Sequence, residues 1–243
     1  TFVAPVRWDK NAWPVVNGNG QIALRMDVPT LPQKPFEADP ARNEFDEPLG
    51  PKWSWLRKPV EERYQIANGK LRMYGSAEGL NELKNSPSFV GFRQEDFDFQ
   101  AETCVKLGNA SNGDKAGMTV YMDYNGHYDV YVAKKGGKWV VGTNYTFGPV
   151  NHVEEVTVNS SKVWLRLTGN RSQYMLWYST NGTDFKQVGT GDARFLSTET
   201  LGNFTGIMLG LWAQSPSVKG YADFEYFEYK QIEPQWPRRR RPQ

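Results

Sequence analysis

The stretch Phe204–Tyr229, FTGIMLGLWAQSPSVKGYADFEYFEY, decides how this chain folds. It reads as two strands around a loop. The first, Phe204–Ala213, is a nearly unbroken apolar run punctuated by Gly206 and Gly210. A strand that is apolar on both faces is buried on both faces, so it belongs inside a packed sheet. The second, Tyr221–Tyr229, alternates acidic and aromatic residues. Its Asp223 and Glu225, two positions apart, point to one side of the sheet. The pair is expected to sit centrally, with the upstream chain packed against it.

Upstream, short strand patterns recur at Lys70–Tyr74, Ser88–Arg93, Phe97–Leu107, Ala116–Asp123, Tyr128–Lys134, Lys138–Asn144, His152–Val158, Val163–Thr168, Tyr174–Ser179 and Lys186–Thr190. Between them stand Asn125-Gly126, Gly136-Gly137, Gly169-Asn170 and Asn181-Gly182, whose left-handed freedom suits tight hairpins. No amphipathic helix longer than ten residues is predicted. Short strands at this spacing predict an all-β sandwich or jelly roll. The first forty residues differ. Pro5, Pro14, Pro29, Pro32, Pro35 and Pro40, with the turn Asn17-Gly18-Asn19-Gly20, disfavour a regular sheet and predict an extended arm. The expected division is an arm over 1–42, a sandwich over 43–231 and a basic tail over 232–243.

Composition narrows the function. Of the net charge of +2, Arg238–Arg241 supplies four positives, leaving −2 for the remainder. A nearly neutral body does not predict a nucleic-acid surface, and the arginine run reads as a solvated tail. No apolar run reaches the length of a membrane-spanning helix, about 18 residues. Aromatics make up 14% of the chain, with nine Trp, which favours strands and sugar-like ligands. The chain starts without Met or a signal peptide and is expected to be a mature or excised piece. Six N-x-S/T sequons, at Asn109, Asn144, Asn159, Asn170, Asn181 and Asn203, point to a secreted glycoprotein.

Self-contained chemistry is not expected. Laminarinase-type sandwich glycosidases place three acids at i, i+2 and i+4 on one strand face. Here Asp96 and Asp98 are followed by Gln100, and Asp223 and Glu225 by Phe227, so neither set is complete. Nucleophile-elbow, Walker, H-E-x-x-H and paired C-x-x-C patterns are absent. The single cysteine, Cys104, permits no intrachain disulfide and reads as a small buried side chain, with only His127 and His152 available as partners for a reactive thiol. The aromatics Trp53, Trp55, Tyr121, Tyr124, Tyr128, Trp139 and Tyr145 could stack on sugars, although most should fill the core. Tyr124 and Tyr145 lie nearest to turns and are the carbohydrate-binding candidates.

Several blocks occur in an order that resembles a known domain. Phe45-Asp46 with Trp53-Ser54-Trp55-Leu56-Arg57-Lys58-Pro59 looks like the opening of the C-terminal sandwich of glycoside hydrolase family 43 β-xylosidases and arabinofuranosidases. Phe89-Val90-Gly91-Phe92-Arg93-Gln94, Phe97-Asp98-Phe99 with Glu102-Thr103, Ala116-Gly117-Met118 with Tyr121, Phe204-Thr205-Gly206, and Ala222-Asp223-Phe224-Glu225-Tyr226-Phe227 match further blocks. Trp13-Pro14-Val15-Val16-Asn17-Gly18 resembles the segment leading out of the family's catalytic propeller. One departure is Phe92, where the family often has a second Arg beside Arg93.

The resemblance implies a concanavalin A-like β-sandwich with an extended proline-rich N-terminal arm. It also implies a function: an accessory domain supporting an inverting five-bladed propeller, with two Asp and a Glu, that acts on xylan or arabinoxylan. Forty residues cannot hold such a propeller, so the catalytic acids lie outside this chain. By motif position Phe204 would close the far side of the sugar pocket in trans, whereas composition alone reads it as core. The resemblance further implies a structural calcium ion, with Asp223 as the late ligand and Glu44 or Asp46 as the early one. Solvation or backbone hydrogen bonding of these acids is the alternative. A second reading is a stand-alone xylan-binding module. An apolar patch near Phe204 and the arm is expected where a propeller would dock.

Overall fold

The alternating sequence forms two stacked antiparallel sheets. A computed structural model describes residues 4–18, 20–22, 32, 34–35 and 40–233. In chain order its strands begin β1 (Val6–Trp8), β2 (Pro14–Val16), β3 (Arg42–Asn43), β4 (Trp53–Ser54), β5 (Tyr64–Ile66), β6 (Leu71–Tyr74), β7 (Ser88–Arg93) and β8 (Phe99–Gly108). They continue as β9 (Lys115–Asp123), β10 (Gly126–Lys135), β11 (Lys138–Phe147), β12 (Val150–Val158), β13 (Lys162–Gly169), β14 (Gln173–Ser179), β15 (Lys186–Asp192), β16 (Met208–Gln214) and β17 (Tyr221–Gln231). The α-helix among the described residues, α1, spans Thr198–Leu201. No helix in that set is long and apolar enough to cross a membrane.

The chain divides into two compact units, Thr1–Asp39 and Pro40–Gln243. In the first, β1 and β2 pair antiparallel, with Trp8 opposite Pro14. The prolines thus leave room for a short hairpin. Pro14 opens its strand, a position where a missing N–H is tolerated. Asn17, Gly18 and Gly20 all take positive φ, as the turn chemistry predicts. Asn19, Pro29 and the Arg238–Arg241 tail lie outside the described residues.

In the second unit, β12-β11-β10-β9-β16-β7-β4 make a seven-stranded sheet and β15-β14-β13-β8-β17-β6-β5 an eight-stranded one, with β3 also on β17. The two strands of Phe204–Tyr229 lie in opposite sheets, β16 between β9 and β7 and β17 between β8 and β6. They are central, as expected, but they do not pair with each other. Strand β16 begins at Met208 rather than Phe204, because Gly206 (φ 71°) turns the chain just before it.

Alternate residues fill the space between the sheets. Val130 and Val132 of β10, Met118 and Val120 of β9, and Leu209 and Leu211 of β16 meet Val105, Leu165, Leu167 and Phe224 from the other side. The other face of the seven-stranded sheet is covered too. Phe89, Tyr121, Tyr131, Met208 and Trp212 form a second buried cluster with Leu80, and Leu56 packs against it. This explains why β16 is apolar on both faces. It also explains Gly210: a Cβ there would fall 2.1 Å from the Phe89 ring. Since Phe89 is itself enclosed, Gly210→Ala is expected to destabilise the sandwich by about 1–3 kcal/mol. The check is a lower urea midpoint at unchanged m-value; an unchanged midpoint would show that the ring can yield.

Candidate functional site

At one end of the seven-stranded sheet a loop presents a bare aromatic ring. Helix α1 stops at Gly202, in left-handed conformation, whose N–H bonds back to the Thr198 carbonyl. The chain then runs through Asn203–Ile207 into β16. Each side of Phe204 is tied down. Asn203 donates its amide to Asp123 Oδ2 at 2.7 Å and accepts from the Thr205 hydroxyl at 2.9 Å. Arg93 donates from Nη1 to the Thr205 carbonyl, and Gln94 N–H bonds to the Ile207 carbonyl at 3.2 Å. Phe204, held between these anchors, is 93% exposed. The core expectation from composition is therefore corrected: the residue precedes the strand, and its ring faces solvent.

The anchors have separate origins. Asp123 ends β9, and Arg93 ends β7 on the face turned from the core, opposite Met208. Its neighbour Phe92 points inward and packs against Trp53, Phe227 and Tyr229 at centroid distances of 5.9, 5.7 and 5.3 Å. The aromatic at that position thus serves the core. The β9–β10 turn, beside Asp123, carries Tyr124, which is half-buried, with its carbonyl accepting from Asn81 at 3.3 Å. The turn also holds Gly148 N–H through the Asn125 carbonyl, next to Phe147, whose exposed ring meets exposed Phe195 in a tilted contact at 5.3 Å. Phe204 and Tyr124 therefore come to the same end of the sandwich. Tyr145 faces inward on β11, against Tyr128 at 5.4 Å, and its hydroxyl lies where a Cβ on Gly189 would fall. Burial raises the pKa of that hydroxyl.

The acids proposed for calcium are placed differently. Both carboxylate oxygens of Asp223 are taken by Arg72, from Nε at 2.6 Å and Nη2 at 2.8 Å, on the outer face of the eight-stranded sheet. Arg72 also lies 3.9 Å from the centroid of the Tyr221 ring. Glu225 is on the same face, as the spacing predicts, bonded to Lys162 at 2.8 Å. Glu44 pairs with Arg42 at 2.6 Å at the surface, and Asp46 lies beside Gly69. Among the described residues no group of three or more His, Cys, Asp or Glu gathers at one point. A cation at Asp223 would sit against a guanidinium that already fills both oxygens, so this donor set does not fit calcium.

The other singled-out residues are structural. Asp96 precedes β8 and bonds to the Tyr229 hydroxyl. Cys104 is buried, and burial, then the nearby Glu225, pushes its thiol up to about 12, which makes it inert. Sequence reasoning missed a buried polar group on the far face of the seven-stranded sheet. His127 Nδ1 lies 2.9 Å from Asp129 Oδ1, and Asn144 donates to Asp129 Oδ2 at 2.8 Å. Burial by itself would raise the Asp129 carboxyl, yet the adjacent His127 and the bonds from His127 and Asn144 hold it below its ordinary value. The legible signal was H-x-D on one strand face. The side-chain amide of the Asn144 sequon is thereby buried and hydrogen-bonded within the sheet.

The profile of the β-xylosidase C-terminal concanavalin A-like domain matches residues 42–230. Among characterised proteins, the chain is similar to the non-reducing end α-L-arabinofuranosidase BoGH43B of Bacteroides ovatus, with 29% identity over 95% of this chain and 44% of that protein. It is also similar to a β-xylosidase of Bacillus subtilis, with 28% identity over 95% of this chain and 46% of that one. Among solved structures, a GH43B protein of a Bacteroides ovatus xyloglucan PUL superposes with a TM-score of 0.88 at 28% identity, covering 95% of this chain and 47% of that one. A xylan β-1,4-xylosidase from Bacillus halodurans gives 0.85 at 27%, covering 94% and 46%. The chain spans less than half the length of these proteins.

If Asp223 is a partner of Arg72 rather than a metal ligand, Asp223→Asn should lower stability by about 1 kcal/mol, the scale of a partly exposed ion pair. The melting temperature of the unsubstituted chain should not move between EDTA and millimolar calcium. A calcium-dependent rise that vanishes in Asp223→Asn would return Asp223 to the metal.

Proposed function

Because the chain belongs to the family of β-xylosidase C-terminal concanavalin A-like domains, we propose that it is the accessory sandwich of a xylan-degrading glycoside hydrolase of the β-xylosidase/α-L-arabinofuranosidase type. In this reading catalysis is carried out by a five-bladed propeller that is not part of these 243 residues. The sandwich supports that propeller, and Phe204 closes the far wall of its sugar pocket. The natural substrates are xylan or arabinoxylan oligosaccharides, and the protein works outside the cell, where such polymers are found. Calcium has no part in this reading.

One observation carries it: Phe204 is 93% exposed on a loop that hydrogen bonds hold on both sides. Burying such a side chain is worth about 1.5–3 kcal/mol, which a free surface forgoes. A ring fixed in water is suited to be covered by a partner or a sugar face. The arm, by itself, displays a second uncovered pair, Trp8 and Trp13, at 69% and 70% exposure on the β1–β2 hairpin. A stand-alone xylan-binding module is the alternative, since Tyr124 comes to the same end as Phe204.

The test pairs the chain with its propeller in one polypeptide or as two co-expressed chains. Phe204→Ala should leave circular dichroism and melting temperature unchanged, because the ring touches little within the sandwich. It should lower kcat/KM on aryl xylosides or arabinofuranosides about tenfold, which is about 1.4 kcal/mol of lost transition-state contact. Unchanged kinetics would remove Phe204 from the pocket. Retardation of the isolated chain in xylan affinity gels, abolished by Phe204→Ala, would favour the binding-module reading instead.

A further inference from the structure

Among the described residues the two large sheets end in four edges, and three of these are blunted. Strand β4 has two residues and β5 three, too short to template a neighbour. Strand β15 carries Gly189 and Gly191, and its pairing is broken by a bulge. The fourth edge, β12, is different. It runs nine residues without Gly or Pro, and eight of the nine are exposed. Its register on β11 continues unshifted from Phe147↔Val150 to Trp139↔Val158. Such an edge offers a row of unpaired N–H and C=O groups to another strand.

The side chains say which strand would fit. In a two-fold antiparallel pairing of β12 with a second β12, facing residues share one face of the sheet, so the axis passes through a residue. An axis at Glu154 would set Glu against Glu and His152 against Val156. An axis at His152 would set His against His and Val150 against Glu154. An axis at Val153 makes every pair complementary: Val153 meets Val153, His152 meets Glu154, Asn151 meets Glu155, and Val150 meets Val156 of the second copy. Val150, Val153 and Val156 are 62%, 48% and 46% exposed and would be covered on both faces. The His–Glu match already exists within one chain, where His152 Nε2 lies 3.1 Å from Glu154 Oε1.

We propose that the chain pairs with a second copy of itself through β12, antiparallel about a two-fold axis at Val153, joining the two seven-stranded sheets into one. This does not depend on the role of Phe204. Sedimentation of the whole chain from micromolar to millimolar concentration should show a reversible dimer. Cys104, the single cysteine, is buried, so an introduced thiol reports alone. Val153→Cys should oxidise to a disulfide-linked dimer. Thr157→Cys, on the same strand face, should not, because its two copies would lie about 26 Å apart at about 3.3 Å per residue. Glu154→Lys should weaken association about tenfold, since two cross-strand pairs are lost per dimer, and adding His152→Glu should restore it. A monomer at every concentration would overturn the proposal. So would equal cross-linking at 153 and 157, or a dimer indifferent to Glu154→Lys.

Discussion

The sandwich depends on one corner where the chain passes between sheets twice, side by side. From β6 it leaves for β7 through Gly75 and Ser76, the start of the connection over 75–87, and from β16 it returns to β17 through Ser215–Gly220. The two crossings are hydrogen-bonded to each other. Gly75 N–H bonds to the Gly220 carbonyl at 2.9 Å, and Ser215 N–H to the Ser76 carbonyl at 2.8 Å. The contact is so close that a Cβ on Gly75 would lie 2.6 Å from Ser215 N. The Ser215 hydroxyl accepts from Gly220 N–H at 3.0 Å and shapes the return. Because the corner delivers β16 and β17 to the middle of opposite sheets, it sets which side chains face each other across the core.

With the core placed, the two outer faces take different solutions. On the seven-stranded sheet, aromatics lie flat over glycines and are roofed by Leu56 and Leu80. On the eight-stranded sheet, charges cross the strands in pairs, Arg72 with Asp223, Lys162 with Glu225 and Arg166 with Glu102. Such partly exposed pairs contribute little each, but they keep charge on a broad sheet face that also carries Trp164 and Trp177. The features that could meet a partner are then confined to the margins: a sheet end with Phe204, and an open edge at β12. A rigid scaffold with function at its rim is the usual division of labour between sheets and loops.

Much of the architecture was legible beforehand because strand periodicity is local. The alternation bounds Ser88–Arg93 to the residue, and most other long strands to within two or three. The strands without a signal in the sequence, β1 to β5, are two or three residues long and show no alternation to detect. The apolar run places Phe204 in a strand, since such runs do not announce where a glycine turns them. The resemblance implies a metal at Asp223, and no local pattern shows otherwise, since the guanidinium that takes it sits 151 residues away.

By itself, the sequence determined the all-β class, the hairpins with their glycine and asparagine turns, the burial of β16 on both faces and the order of blocks shared with a family of sandwich domains. These follow from neighbouring residues, whose alternation and turn preferences are set by backbone sterics. Only the tertiary structure decided that β16 and β17 belong to different sheets, that Arg72 claims Asp223, that Phe204 stands in solvent and that β12, among the described residues, is an outer strand. Each of those depends on which distant segments meet, and that is set by packing the whole core at once rather than by any stretch read alone.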